Sequence, residues 1–309
     1  MGFFTSCPLS FYTGTHPPPV PTLGGFALPT AGAMAWAAQA AYEVPDQDKL
    51  SAILTHWNWR LLRMFDQPVA GAWPRTGARG FIADSGSAWV VAIAGTEPSS
   101  FGNWLQNFDF PVDEHGAHRG FQAGALAAQP VVADALGNLP GPVYLTGHSL
   151  GGALAAMTAM LLPDPWTDRI AGIYTIGMPR PGNAAYRDAY NQRLGERTYR
   201  LIHGDDLVPK VPPSALRFRH VGAMLHCERD ARFAGQPTIP PDEGASLTEL
   251  RDIAKASFGT NIAPPFPGES RAAVLAAAAL SAPIRDHLTD GYLRALTPAP
   301  PGDEQSPTK

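Results

Sequence analysis

The sequence predicts an α/β fold with a mostly parallel central sheet and helices on both faces. Three observations predict it. From Val143 onward, short apolar strands alternate with helical segments, which is the pattern of parallel pairing. Of 309 residues, 45% are hydrophobic and only 16% charged, so the chain can bury a large core. A glycine-rich turn, Thr146–Gly152, joins an apolar strand to an Ala-rich helix.

The elements follow in order. Residues 1–30 are rich in Pro and Gly, with HPPPVP at His16–Pro21, and predict an extended arm on the surface or partly disordered. Ala31–Val44 and Asp46–Phe65 read as helices. Gly80–Ala83 and Ala88–Ala94 read as a hairpin turning at Asp84–Ser87. Ala117–Gly137 reads as a helix kinked or broken at Pro130. Val143–Thr146, Ile170–Ile176, Thr198–Ile202 and Leu216–Val221 read as strands, with helices at Leu150–Leu162 and Asn183–Leu194. Glu249–Ser257 and Arg271–Ser281 read as helices outside this rhythm. One domain is expected over residues 31–296, with an insertion at 240–283 and a disordered tail at 297–309.

Composition excludes several classes. The net charge is −4 and no basic stripe exists, so nucleic acid is not an expected partner. Cys7 and Cys227 cannot make a disulfide framework, and whether they pair is open. The longest apolar runs, Leu150–Leu162 and Ala272–Ile284, fall short of the ~20 residues of a membrane span, so no transmembrane segment is expected. The start, MGFFTSCPLS, lacks a basic region and a long apolar region. The expected location is therefore the cytoplasm, with export by another route left open. His226, Cys227, Glu228 and Asp230 lie too close together for ordinary ligand spacing, so no metal and no cofactor are expected.

The turn carries Gly-x-Ser-x-Gly as Gly147–His148–Ser149–Leu150–Gly151. A serine lifted on a strand-to-helix turn needs a strained backbone, and only small neighbours fit around it. Ser149 is the candidate nucleophile of an α/β-hydrolase, and the N–H of Leu150 behind it can receive an oxyanion. His148 reads as packing. A serine hydroxyl needs a base, and the base an orienting acid, in chain order Ser, Asp/Glu, His. The loop after the strand at Tyr199–Ile202 offers Asp205 and Asp206. His226 and His287 remain as bases, and composition and order do not choose between them.

At this point the chain resembles the class 3 lipases, the group of the filamentous-fungal triacylglycerol lipases. The shared motifs are VVAIAGT (Val90–Thr96), NW (Asn103–Trp104), HRGF (His118–Phe121), TGHSLGGALA (Thr146–Ala155), YTIGMPRPGN (Tyr174–Asn183), DLVPKVPP (Asp206–Pro213), HVG (His220–Gly222), and Asp286–His287 with Tyr292 beyond. The resemblance implies an α/β-hydrolase fold and a triad of Ser149, Asp206 and His287. It makes His220 structural and puts Thr96 beside Leu150 in the oxyanion hole. Where the family has Phe-Arg-Gly, this chain reads Ile93–Ala94–Gly95. The fungal lid lies where this chain has Glu97–Phe110, with Phe101, Trp104 and Phe108. That segment reads equally as a lid or as a buried helix.

The expected activity is hydrolysis of carboxylic esters, acylglycerols first, with an ester or lipid substrate met at a lipid–water interface. Short-chain or feruloyl-type aryl esters are the alternative substrates. A non-catalytic binding protein on the same scaffold is the rival of another class.

Overall fold

The computed structural model describes residues 6–69, 77–95, 111–137, 139–241 and 282–297. The main sheet has seven strands in the order β1 (Arg60–Gln67), β2 (Ala78–Asp84), β3 (Trp89–Ile93), β4 (Val143–His148), β5 (Ile170–Ile176), β7 (Thr198–His203) and β9 (Ala223–Cys227). The first three strands are antiparallel neighbours, and β3 through β9 pair in parallel. Strands β6 (Gly182–Asn183) and β8 (Phe218–Arg219) form a separate antiparallel pair. The α/β-hydrolase architecture, a mostly parallel sheet between two helical layers, is therefore the fold.

Alternation along the strands sends side chains to two cores. Val91, Ile93, Val143 and Leu145 meet the helices Arg119–Leu136, Leu150–Leu161 and Ala184–Leu194. Val90, Ala92 and Tyr144 meet the helix Leu28–Ala40 and the last described helix, Thr289–Leu296. Both faces are buried, which is why β3, β4 and β5 read as continuous apolar runs. The hairpin β2–β3 and strand β5 match the sequence reading. The helix Arg119–Leu136 runs through Pro130 without a break.

Two expectations about the strands and helices change. The helix expected over Asp46–Phe65 ends at His56. Asn58 turns left-handed at φ 60°, and the chain returns as edge strand β1, paired to β2 from Arg60↔Asp84 onward. The apolar residues Leu61, Leu62, Met64 and Phe65 suit either period, so strand pairing decided the outcome. The strand expected at Leu216–Val221 shrinks to β8. The strand that closes the main sheet is β9, started by Gly222 at φ 68°.

The N-terminal arm is neither extended throughout nor merely superficial. It holds a short helix, Leu9–Thr13, and Cys7, Tyr12 and Val20 are buried. The anchor is Glu43, whose buried carboxylate accepts from Cys7 N (2.7 Å), Tyr12 Oη (2.6 Å) and Ser6 Oγ (2.9 Å) and pairs with Lys49 Nζ at 2.7 Å. Cys7 and Cys227 are both free thiols. The expected helices Glu249–Ser257 and Arg271–Ser281, most of the insertion at 240–283 and nearly all of the tail lie outside the described residues.

Glu43→Ala should leave Lys49 and several donors unpaired and lower stability by about 3 kcal/mol in urea unfolding. A change below about 0.5 kcal/mol would mean that the arm is not anchored by this carboxylate.

Candidate active site

Strand β4 ends in the turn that lifts Ser149 to φ 58° and ψ −132°, a conformation that only a locally overdetermined turn retains in a non-glycine residue. Ser149 N donates to Ile176 O at 2.9 Å, and Ser149 O accepts from Gly152 N at 3.0 Å. The crowding explains the glycines. A Cβ on Gly147 would strike the Gly151 backbone, and one on Gly151 would strike Ile93 O. Leu150 opens the helix that follows, so its N–H belongs to the first turn, which has no intrahelical acceptor. That makes it a donor for developing negative charge.

Asp206 follows the end of β7 and is buried. Its Oδ2 accepts from His287 Nδ1 at 2.9 Å and from Tyr292 Oη at 2.6 Å, and its Oδ1 from Val208 N at 2.9 Å. A nitrogen facing a carboxylate carries the proton, so Nε2 of neutral His287 is the acceptor nitrogen. Burial first, and the neighbouring Asp206 charge second, push the Tyr292 phenol well above its ordinary range, so it stays a donor. Gly177 marks where these groups meet the elbow. It follows Ile176, the acceptor of Ser149 N, and a Cβ on it would come within 2.7 Å of Asp206 Oδ2 and 3.0 Å of His287 Nδ1. Ser149, Asp206 and His287 thus converge at the carboxyl ends of β4, β5 and β7, where open α/β sheets bind ligands.

His287 sits between the helices Ala282–Arg285 and Thr289–Leu296, and the chain around it is pinned on several sides. Arg229 forms a bidentate pair with Asp286, with Nε–Oδ1 at 2.8 Å and Nη2–Oδ2 at 2.7 Å. Asp205 N also donates to Asp286 Oδ2 at 2.8 Å. Thr289 Oγ1 donates to Gln39 Oε1. The His287 carbonyl accepts from His148 Nε2 at 2.7 Å. Burial raises the Asp286 carboxyl, but the Arg229 bonds and the Asp205 N–H outweigh it and hold the group below its ordinary value.

The other candidates fall elsewhere. Asp205 points its carboxylate at Arg229, 3.3 Å away. His226 lies within β9, not in a loop, and its Nε2 donates to Gly204 O at 2.9 Å. His220 is partly buried and donates from Nε2 to Pro209 O at 2.7 Å; desolvation first, then Arg200 and Arg180, push its pKa well below the usual value. Thr96, Phe101, Trp104 and Phe108 lie outside the described residues, as does the lid expected at 97–110. Gly95, the last described residue before them, packs against the elbow: a Cβ there would lie 3.1 Å from Ser149 Cβ. Sequence reasoning did not find Arg229, Gln39 or Tyr42, since nothing in their local pattern marks them. His148, read as packing, bonds through both ring nitrogens.

Fold and elbow define an α/β-hydrolase. The family described as Lipase (class 3) matches residues 90–216, which bears out the resemblance read from the motifs. The chain is 31% identical over 157 residues to the secreted mono- and diacylglycerol lipase 1 of Fusarium solani, covering 47% of this chain and 46% of that protein. It is 32% identical over 155 residues to a lipase of Rhizomucor miehei, covering 46% of this chain and 42% of that protein. It therefore spans less than half the length of these relatives. The lipase of Rhizopus microsporus var. chinensis superposes with a TM-score of 0.57 at 26% identity, over 76% of this chain and 88% of that one. The expectation of a cytoplasmic protein does not stand, because the Fusarium solani relative is named as secreted. Among the described residues no helix is long and apolar enough to cross a membrane.

The Asp286 pair has a pH signature. A carboxyl held below its ordinary 3.8 contributes stability above that pH and loses it as the pH falls through the lower folded value. Arg229→Ala should lower the melting temperature by several degrees at neutral pH, and the gap to the parent protein should close as the pH drops below about 3.8. A gap that is constant from pH 7 to about pH 3 would show that the pair does not set it.

Proposed function

We propose that the protein is a serine hydrolase that cleaves carboxylic esters, with acylglycerols as the principal substrates. The observation that supports this most is the buried Asp206–His287 pair, at 2.9 Å, set beside a serine on a strained elbow. Ser149 Oγ attacks the ester carbonyl while His287 Nε2 takes its proton. Asp206 holds the imidazole tautomer and steadies the charge that forms. The N–H groups of Leu150 and Thr96 receive the oxyanion. His287 then returns the proton to the departing alcohol, and water repeats the cycle on the acyl-enzyme. No step requires a metal or cofactor.

The substrate class rests on the named activities of the relatives, mono- and diacylglycerol lipase among them. Phe101, Trp104 and Phe108 supply an apolar segment next to the oxyanion loop, which suits contact with a lipid–water interface. The secreted relatives accord with action outside the cell.

Ser149→Ala should lower hydrolysis of p-nitrophenyl and acylglycerol esters by about 10⁴- to 10⁶-fold and abolish labelling by a fluorophosphonate, without unfolding the protein. Labelling that persists on another serine would refute the assignment.

The acid and the base are tested in pairs. Asp206→Asn should reduce kcat by up to roughly 10⁴-fold because the wrong tautomer is favoured, while Asp205→Asn should be mild. His287→Ala should remove nearly all activity, and His226→Ala should keep it. Reversal of either pair would reassign that residue.

A further inference from the structure

The elbow histidine does more than fill space. The His148 ring stacks on the His287 ring, with centroids 4.5 Å apart and planes at 30°. Its Nε2 lies 2.7 Å from the His287 carbonyl, and its Nδ1 lies 2.9 Å from the Tyr42 hydroxyl. A carbonyl only accepts, so Nε2 carries the proton and donates. In the neutral ring Nδ1 then accepts, and Tyr42 donates to it. Resting on the reading of Ser149, Asp206 and His287 as a triad, we propose that His148 is a positioning residue that fixes the base through its main chain and does so as a neutral imidazole locked by Tyr42.

The need for neutrality follows from the stacking. His287 becomes an imidazolium during each turnover, and a second cation 4.5 Å away would oppose that charge. Burial first, and repulsion from His287 second, hold His148 well below its ordinary pKa, outweighing the carbonyl bond that favours the cation. The groups facing the ring, among the described residues, are Tyr42 from the turn Ala41–Glu43, the ring and carbonyl of His287, and the Tyr292 ring at 6.3 Å. Asp206 is bonded by His287, Tyr292 and the Val208 N–H, while the His148 ring nitrogens go to Tyr42 and the His287 carbonyl. The elbow therefore joins two functions on adjacent residues: Ser149 presents the hydroxyl and His148 holds the base that activates it.

The test uses the full chain with p-nitrophenyl butyrate and with ¹⁵N-histidine spectra. His148→Leu should lower kcat by about 10- to 100-fold with little change in KM, the scale of a misplaced reacting group. His148→Gln, whose amide can still donate to the His287 carbonyl, should recover a large part of that loss. Tyr42→Phe should lower kcat by several-fold alone and add nothing in the His148→Leu background. In the spectra, His148 should be the Nε2–H tautomer and should not titrate between about pH 5 and 8. A folded His148→Leu protein with the parent kcat overturns the positioning role, and so does equal loss in the Leu and Gln variants. A His148 that is Nδ1-protonated, or that titrates in that range, overturns the lock by Tyr42. The spectra do not depend on turnover. A folded parent protein that cleaves no ester and takes no fluorophosphonate refutes the hydrolase reading and the positioning role with it, whereas parent activity with an unaffected Leu variant refutes only the positioning role.

Discussion

The buried carboxylate of Asp206 constrains the rest of the structure. An ionised group removed from water needs hydrogen bonds to replace its hydration. Here they come from His287, Tyr292 and the Val208 N–H. Two of these donors lie in the last described stretch of the chain, more than 80 residues beyond the acid. The helix Thr289–Leu296 must therefore dock on the face of the sheet that holds the helix Leu28–Ala40. That docking brings Thr289 to Gln39 and the His287 carbonyl to His148.

A second buried carboxylate supports the first at a distance. Glu43 collects the N-terminal arm, and it follows directly on Tyr42, which bonds the elbow histidine. Gln39, one turn earlier, reaches both Tyr12 and Thr289. One short stretch, Gln39–Glu43, thus ties the arm, the elbow and the histidine loop together. On the opposite side, Arg229 and the Asp205 N–H grip Asp286. His287 is thus held both through its neighbours in sequence and through its own main-chain carbonyl.

The legible parts of the site were local ones. Gly147, Ser149 and Gly151 sit on consecutive positions of one turn, and the crowding there admits little else, so the elbow could be read from spelling alone. The strands β3, β4 and β5 were legible because burial on both faces forces continuous apolar runs. Strands β1 and β9 were not. Each is an edge of the sheet, and the mixed sequences RLLRMFDQ and AMLHC gain their identity from the partners β2 and β7.

The sequence by itself determined the fold class, the elbow and the position of the acid-bearing loop, because each follows from periodicity or from steric limits within a few residues. Chain order alone could not separate His226 from His287, and the family resemblance had to make that choice. Tertiary structure decided which histidine meets Asp206: His226 is drawn into β9 and spends its ring on Gly204 O, while His287 is brought to Asp206 just ahead of the helix Thr289–Leu296. It also gave His148, read as packing, bonds to the Tyr42 hydroxyl and to the His287 carbonyl, and it anchored the N-terminal arm. These are bonds between residues 36 to 139 positions apart, set by long-range burial and hydrogen bonding that no local pattern encodes.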